Sequence, residues 1–228
     1  NTPAENHPEK SELIIRKSKR VNIDHAMENA TPLLNADTAR EEASRCLQCD
    51  ELCNICVTVC PNRANISYRT PAVEIPQWKM LNHNNGISFA QTGILKIAQT
   101  TQVLKLAGFC NECGNCNTFC PTSGAPFREK PRFWLTTESF NNAEEGFFLS
   151  VLKGRKNLIY KNKGSFATLT QLTDSYIYET DFVMATFDRE TFRLTDVKFL
   201  TPCIREAHFQ KAAEMAVMMQ GAESLLSV

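Results

Sequence analysis

Ten cysteines stand in this 228-residue chain, and nine of them fall in two short bursts, at 46–60 and 110–120. The second burst, Cys110-Asn-Glu-Cys113-Gly-Asn-Cys116-Asn-Thr-Phe-Cys120-Pro121, has the spacing C-x2-C-x2-C-x3-C-P. Thiolates two residues apart can curl round one face of an iron–sulfur cube and reach three of its irons, while loop N–H groups point at the sulfurs. Gly114 permits the backbone bend that such wrapping needs. The fourth thiol lies beyond the loop, where Pro121 turns the chain away. In proteins that carry two clusters on this run, it ligates the other cluster.

The first burst reads Cys46-Leu-Gln-Cys49-Asp-Glu-Leu-Cys53-Asn-Ile-Cys56-Val-Thr-Val-Cys60-Pro61. Its second half repeats the C-x2-C-x3-C-P ending of the other burst, an internal repeat that a pseudo-twofold arrangement of two sites requires. Upstream it departs from the pattern, because Cys49 sits one residue too far from Cys53 and Cys46 is additional. Crossing the fourth ligands assigns Cys49, Cys53, Cys56 and Cys120 to one [4Fe–4S] cluster. Cys110, Cys113, Cys116 and Cys60 then hold a second. Cys46 is a possible alternate ligand in place of Cys49 or Cys53. Cys203 stands alone after Pro202 and reads as a buried small hydrophobe.

Two other chemistries use clustered cysteines. Disulfides between near neighbours close loops too small to return much entropy, so metal ligation and a reducing, cytoplasmic setting fit better. Zinc bound by four thiolates uses pairs of C-x2-C, which Cys46/Cys49 and Cys53/Cys56 could supply as an assembly scaffold. Zinc has no need, however, of the repeated Cys-Pro ending. A cluster-based redox sensor with Cys46 free for thiol chemistry is a further alternative. The four histidines (His7, His25, His83 and His208) show no ligand spacing, and no nucleophile–base set stands out, so the chain shows no catalytic site of its own.

The elements around these bursts must present them. Residues 1–37 read as an arm with a basic run, Arg16-Lys17-Ser18-Lys19-Arg20. Thr38 and Glu41 form a capping box for a helix delivering Cys46. Residues 38–145 hold both bursts, with a turn-rich spacer containing Pro71, Pro76 and Gly86, and a strand around Val103–Leu106 feeding Cys110. Val57, Val59 and Phe119 flank the ligands and would exclude water. Arg128, Lys130 and Arg132 either offset cluster charge or form a solvated loop. Residues 146–228 read as strands at Leu158–Tyr160, Phe166–Leu172, Tyr176–Phe187 and Thr191–Phe199, paired as hairpins, then a helix over 203–226 carrying Phe209, Ala212, Ala216 and Met219 on one side. The implied fold is α+β, a two-cluster ferredoxin-like core with an N-terminal arm and a C-terminal hairpin-and-helix extension.

Hydrophobic residues make up 43% and charged residues 22% of the chain, with zero formal net charge, which offers no basic excess for nucleic acid or an anionic membrane. No apolar run approaches the ~20 residues of a membrane helix. The start at Asn1, without an initiator Met, reads as a piece of a longer polypeptide.

Glu42-Ala43-Ser44-Arg45-Cys46-Leu47-Gln48-Cys49 resembles the entry to the iron–sulfur domain of the glutamate synthase small subunit and of dihydropyrimidine dehydrogenase. Arg45–Cys49, Cys60-Pro61-Asn62-Arg63-Ala64-Asn65, Phe109–Cys116 and Phe119-Cys120-Pro121 together are similar to the C-terminal part of the selenate reductase iron–sulfur subunit family, over about residues 35–135. The resemblance implies an electron relay between an NAD(P)H/flavin unit and a molybdenum hydroxylase-like oxidoreductase. No G-x-G-x-x-G fingerprint occurs here, so FAD and NAD(P)H are expected on an associated domain or subunit.

Overall fold

A computed structural model describes residues 35–44, 53–83, 86–152, 154–201 and 204–226. The chain divides into two units, 1–52 and 53–228. In the first, the described residues form α1 (Ala36–Ser44), exposed over residues 36–41. Its start corrects the expected capping box: Asn35 Oδ1 accepts from the N–H groups of Asp37 and Thr38 at 3.0 and 2.9 Å. Thr38 therefore lies inside the helix, because the Asn35 side chain three residues upstream already satisfies the free N–H groups.

The second unit runs α2 (Ile55–Thr58), β1 (Asn65–Arg69), β2 (Val73–His83), β3 (Gly86–Ile97), β4 (Thr101–Leu106), α3 (Asn115–Thr118), α4 (Pro126–Glu129) and β5 (Arg132–Trp134). It continues with α5 (Thr137–Asn142), β6 (Glu145–Leu152), β7 (Arg155–Asn162), β8 (Ser165–Gln171), β9 (Ser175–Thr180), β10 (Val183–Asp188), β11 (Leu194–Phe199), β12 (Glu206–His208) and α6 (Gln210–Leu226). Nine strands form one sheet in the order β1-β4-β5-β6-β7-β8-β9-β10-β11, and a second sheet has the order β12-β2-β3.

This architecture overturns the expected α+β ferredoxin-like core. The unit is mostly β, and one continuous sheet runs from β1, beside the first cysteine burst, to β11. The reason is that cysteine spacing constrains only a dozen residues of loop, whereas the strands on either side pair wherever their apolar faces can be buried. The spacer, read as turns, is a long antiparallel hairpin of β2 and β3. Pro76 is tolerated there because β12 covers β2 only at Lys79–Leu81, leaving the edge beside Pro76 without a partner strand.

The core lies between the two sheets and α6, which packs against β1, β2, β3 and β8. Phe209, Ala212, Ala213, Met215, Ala216, Met218, Met219 and Ala222 are all buried, so the helix is enclosed round most of its circumference rather than along one stripe. A row of cross-strand neighbours, Leu106, Phe133, Phe147 and Tyr160, lines the sheet's inner face on β4 to β7. The Phe133 and Phe147 rings stack with centroids 5.7 Å apart, and the Tyr160 ring lies tilted against Phe147 at 4.8 Å.

Candidate functional site

β4 is buried on both faces. Leu104 and Leu106 face the main core, while Val103 and Lys105, alternating with them, face the other side. What covers that side is the pair of cysteine segments. Cys56 and Cys116 join Val103 in a small separate cluster, with Val57, Val59 and Phe127 packed on it. Cys56 and Cys116 are both buried, at 7% and 6% exposure.

The repeat legible in the cysteines is also a structural repeat. Cys56 and Cys116 are each the second residue of a four-residue helical turn, α2 and α3, and these turns touch one another. Cys60 and Cys120 follow at the turn ends. Arg63 and Ser123, three residues on, both take left-handed backbone, φ 51° and 56°. Their N–H groups donate to the Cys60 and Cys120 carbonyls at 3.1 and 3.2 Å. That bend aims the next N–H at the sulfur: Ala64 N donates to Cys60 Sγ and Gly124 N to Cys120 Sγ, both at 3.2 Å. Ahead of α3, Gly114 takes φ 83°, the conformation its position called for.

Cys53 and Cys116 both act electrostatically on Cys56, and burial pushes the Cys56 thiol up while Lys130 nearby opposes this. Cys120 is shifted the other way, chiefly by hydrogen bonding with Thr122, whose Oγ1 lies 3.3 Å from the sulfur. The structure thus places Cys56 and Cys116 in one small cluster with Val103, while Cys110 and Cys116 act electrostatically on Lys105. Cys60 and Cys120 are held by their own turns, and Cys113 is exposed. Cys46, Cys49 and Cys203 lie outside the described residues, and so does the basic run at 16–20. Phe119, expected to shield the ligands, is 58% exposed, because the side of the turn it occupies faces away from the apolar cluster.

A row of polar side chains beneath the thiols escaped sequence reading. Asn65 on β1, Lys105 on β4 and Arg132 on β5 are successive cross-strand partners. Asn65 and Lys105 are 3% and 2% exposed. Asn65 Nδ2 donates to the Cys56 carbonyl at 2.9 Å, and Lys105 Nζ donates to the Phe127 carbonyl. Burial, then the neighbouring Arg132, pulls the Lys105 ammonium down, while Cys110, Glu112 and Cys116 oppose this. Asn65 Oδ1 and Arg132 Nε have no hydrogen-bond partner among the described residues. The signal in sequence was only a lysine in an apolar strand, Val-Leu-Lys-Leu; its neighbours become visible only once strand register is known.

Among the described residues, no three His, Cys, Asp or Glu side chains converge as a single metal ion demands. The donor set suits a larger, negatively charged, sulfur-ligated group: thiols from both segments, N–H groups aimed at sulfur, and cationic side chains behind them.

The site thus defines a thiol-rich segment pair carried on one face of a β sheet. Over 121 residues, 51% of this chain, it is 34% identical to proteins named "Putative oxidoreductase YgfK" of Escherichia coli, in strain K12 and in O157:H7. The match spans 9% of the length of those relatives. No family model and no solved structure matches the chain. Among the described residues, no helix is long and apolar enough to cross a membrane.

Proposed function

We propose that the chain is an iron–sulfur electron-transfer module of a larger oxidoreductase, with Cys49, Cys53, Cys56, Cys60, Cys110, Cys113, Cys116 and Cys120 as ligands to two [4Fe–4S] clusters. Cys46 is the alternate ligand. The observation that carries the reading is the paired fold of the two segments, in which equivalent buried thiols meet and equivalent N–H groups bond sulfur. Bound there, such clusters supply one-electron transfer. The chain's own residues do the rest: the α2 and α3 turns fix the thiols, Val57, Val59 and Val103 exclude water, and Lys105 and Lys130 place positive charge behind them.

The identity to proteins named as oxidoreductases supports the redox class. The sequence resemblance supports a flavin- and NAD(P)H-binding unit on one side and a molybdenum hydroxylase-like subunit on the other, in a cytoplasmic assembly. Iron and acid-labile sulfide on anaerobically purified protein test this directly. About eight of each per chain, with a broad absorption near ~400 nm that dithionite bleaches, is the expected result. Colourless protein carrying zinc overturns it and leaves an assembly scaffold.

A further inference from the structure

A buried ammonium needs an anion. Lys105 is 2% exposed, and its Nζ has one partner, the Phe127 carbonyl. Among the described residues no carboxylate lies at ion-pair distance from it. Its cross-strand neighbour is a second cation, Arg132, whose Nε is also unpartnered while its Nη1 is tied to Glu145. Two adjacent cations facing one way, one of them without a counter-charge, form an arrangement that folding alone disfavours: removing ions from water costs several kcal/mol each unless paired. From the covering segments Cys110, Glu112 and Cys116 all act electrostatically on Lys105, opposing the loss of its charge. Phe127, whose carbonyl anchors the ammonium, itself packs against the small cluster of Cys56, Val103 and Cys116.

We infer that Lys105 is the charge-compensating residue of the cluster to which Cys110 and Cys116 contribute, and that it sets that cluster's reduction potential above that of its neighbour. This rests on the cluster reading given above. A cluster with four thiolates gains one negative charge on reduction, and a fixed, buried positive charge beside it favours that added electron. Lys105 is a positioning residue here: it binds no iron and moves no proton, but its charge makes the reduced form more stable. Asn65 steadies the neighbouring centre, to which Cys56 contributes, by holding the Cys56 carbonyl.

The test is Lys105→Met on the whole chain, loaded anaerobically, with Lys105→Arg beside it and potentiometry followed by electron paramagnetic resonance. The expected result is that one of two clusters becomes about tenfold harder to reduce, ~59 mV for one electron, while the other is unmoved. Lys105→Arg restores the wild-type value. The metal-free Lys105→Met protein should melt at or above the wild-type temperature, since it no longer buries an uncompensated charge; this separates tuning from mere structural support. If Lys105→Met cannot be loaded, Lys105→Gln serves the same comparison. Unchanged potentials in a fully loaded neutral variant overturn the inference alone, whereas wild-type protein that takes up no iron and sulfide overturns the cluster reading with it.

Discussion

At the scale of single residues, burial decides what ionises. Tyr178, enclosed by the core and near Glu214 and Tyr160, has its phenol pushed up to about 12 from 10.0, chiefly by loss of water. The folded value lies above the unfolded one, so its contribution is intact below about pH 10 and is lost as pH rises from there towards 12. Tyr178→Phe should therefore show a shallower fall in urea midpoint across that window than wild type, by roughly 1–2 kcal/mol at its upper end; equal slopes would mean the phenol is hydrated in the fold. The cysteines were legible at this scale because their spacing is itself the geometry of the loop. Lys105 and Asn65 were not, since a lone lysine or asparagine acquires meaning only from what the adjoining strand places opposite it.

Among the elements, turns do more than the strands they join. Asp188 closes β10 by accepting from the N–H groups of Glu190 and Thr191 at 3.2 and 2.7 Å and from the Thr191 hydroxyl. These bonds hold its carboxyl below the usual 3.8, so the turn keeps its support above that range and loses it as pH falls through the lowered value. Asp188→Ala should lower the melting temperature at pH 7 and abolish its dependence on pH between 4 and 2 at this turn, followed by amide exchange of Thr191. The hairpins of β7 to β11 were readable because alternating apolar residues meet turn signals at Asn162-Lys163-Gly164 and Asp188-Arg189-Glu190. One strand read over Tyr176–Phe187 is two, broken between Thr180 and Val183, where Thr180 Oγ1 accepts from the Phe182 and Val183 N–H groups. β6 went unread because Glu145-Gly146 precede its apolar residues; Gly146 takes φ 135° beneath the Trp134 ring.

At the scale of the second unit, α6 and β1 approach one another closely. A Cβ on Gly221 would overlap the Tyr68 ring at Cε2. Gly221→Ala should destabilise by about 1–3 kcal/mol despite alanine's better helix propensity, and most of that loss should vanish in combination with Tyr68→Ala, as a double-mutant cycle in chemical denaturation would show. Global arrangement was the least legible level. Nothing local distinguishes a nine-stranded sheet from several hairpins, because the decision rests on pairings between distant segments such as β12 with β2.

The enclosed position of α6 also has a consequence for how the protein is made. Every strand precedes residue 210, yet the helix that fills their common interior comes after them all. During synthesis the strands leave the ribosome with their apolar faces unmatched, and the last turn of helix converts an open set of ribbons into a closed body. A nascent chain arrested before that point holds long unpaired edges and a hollow interior, the species that holdase chaperones capture.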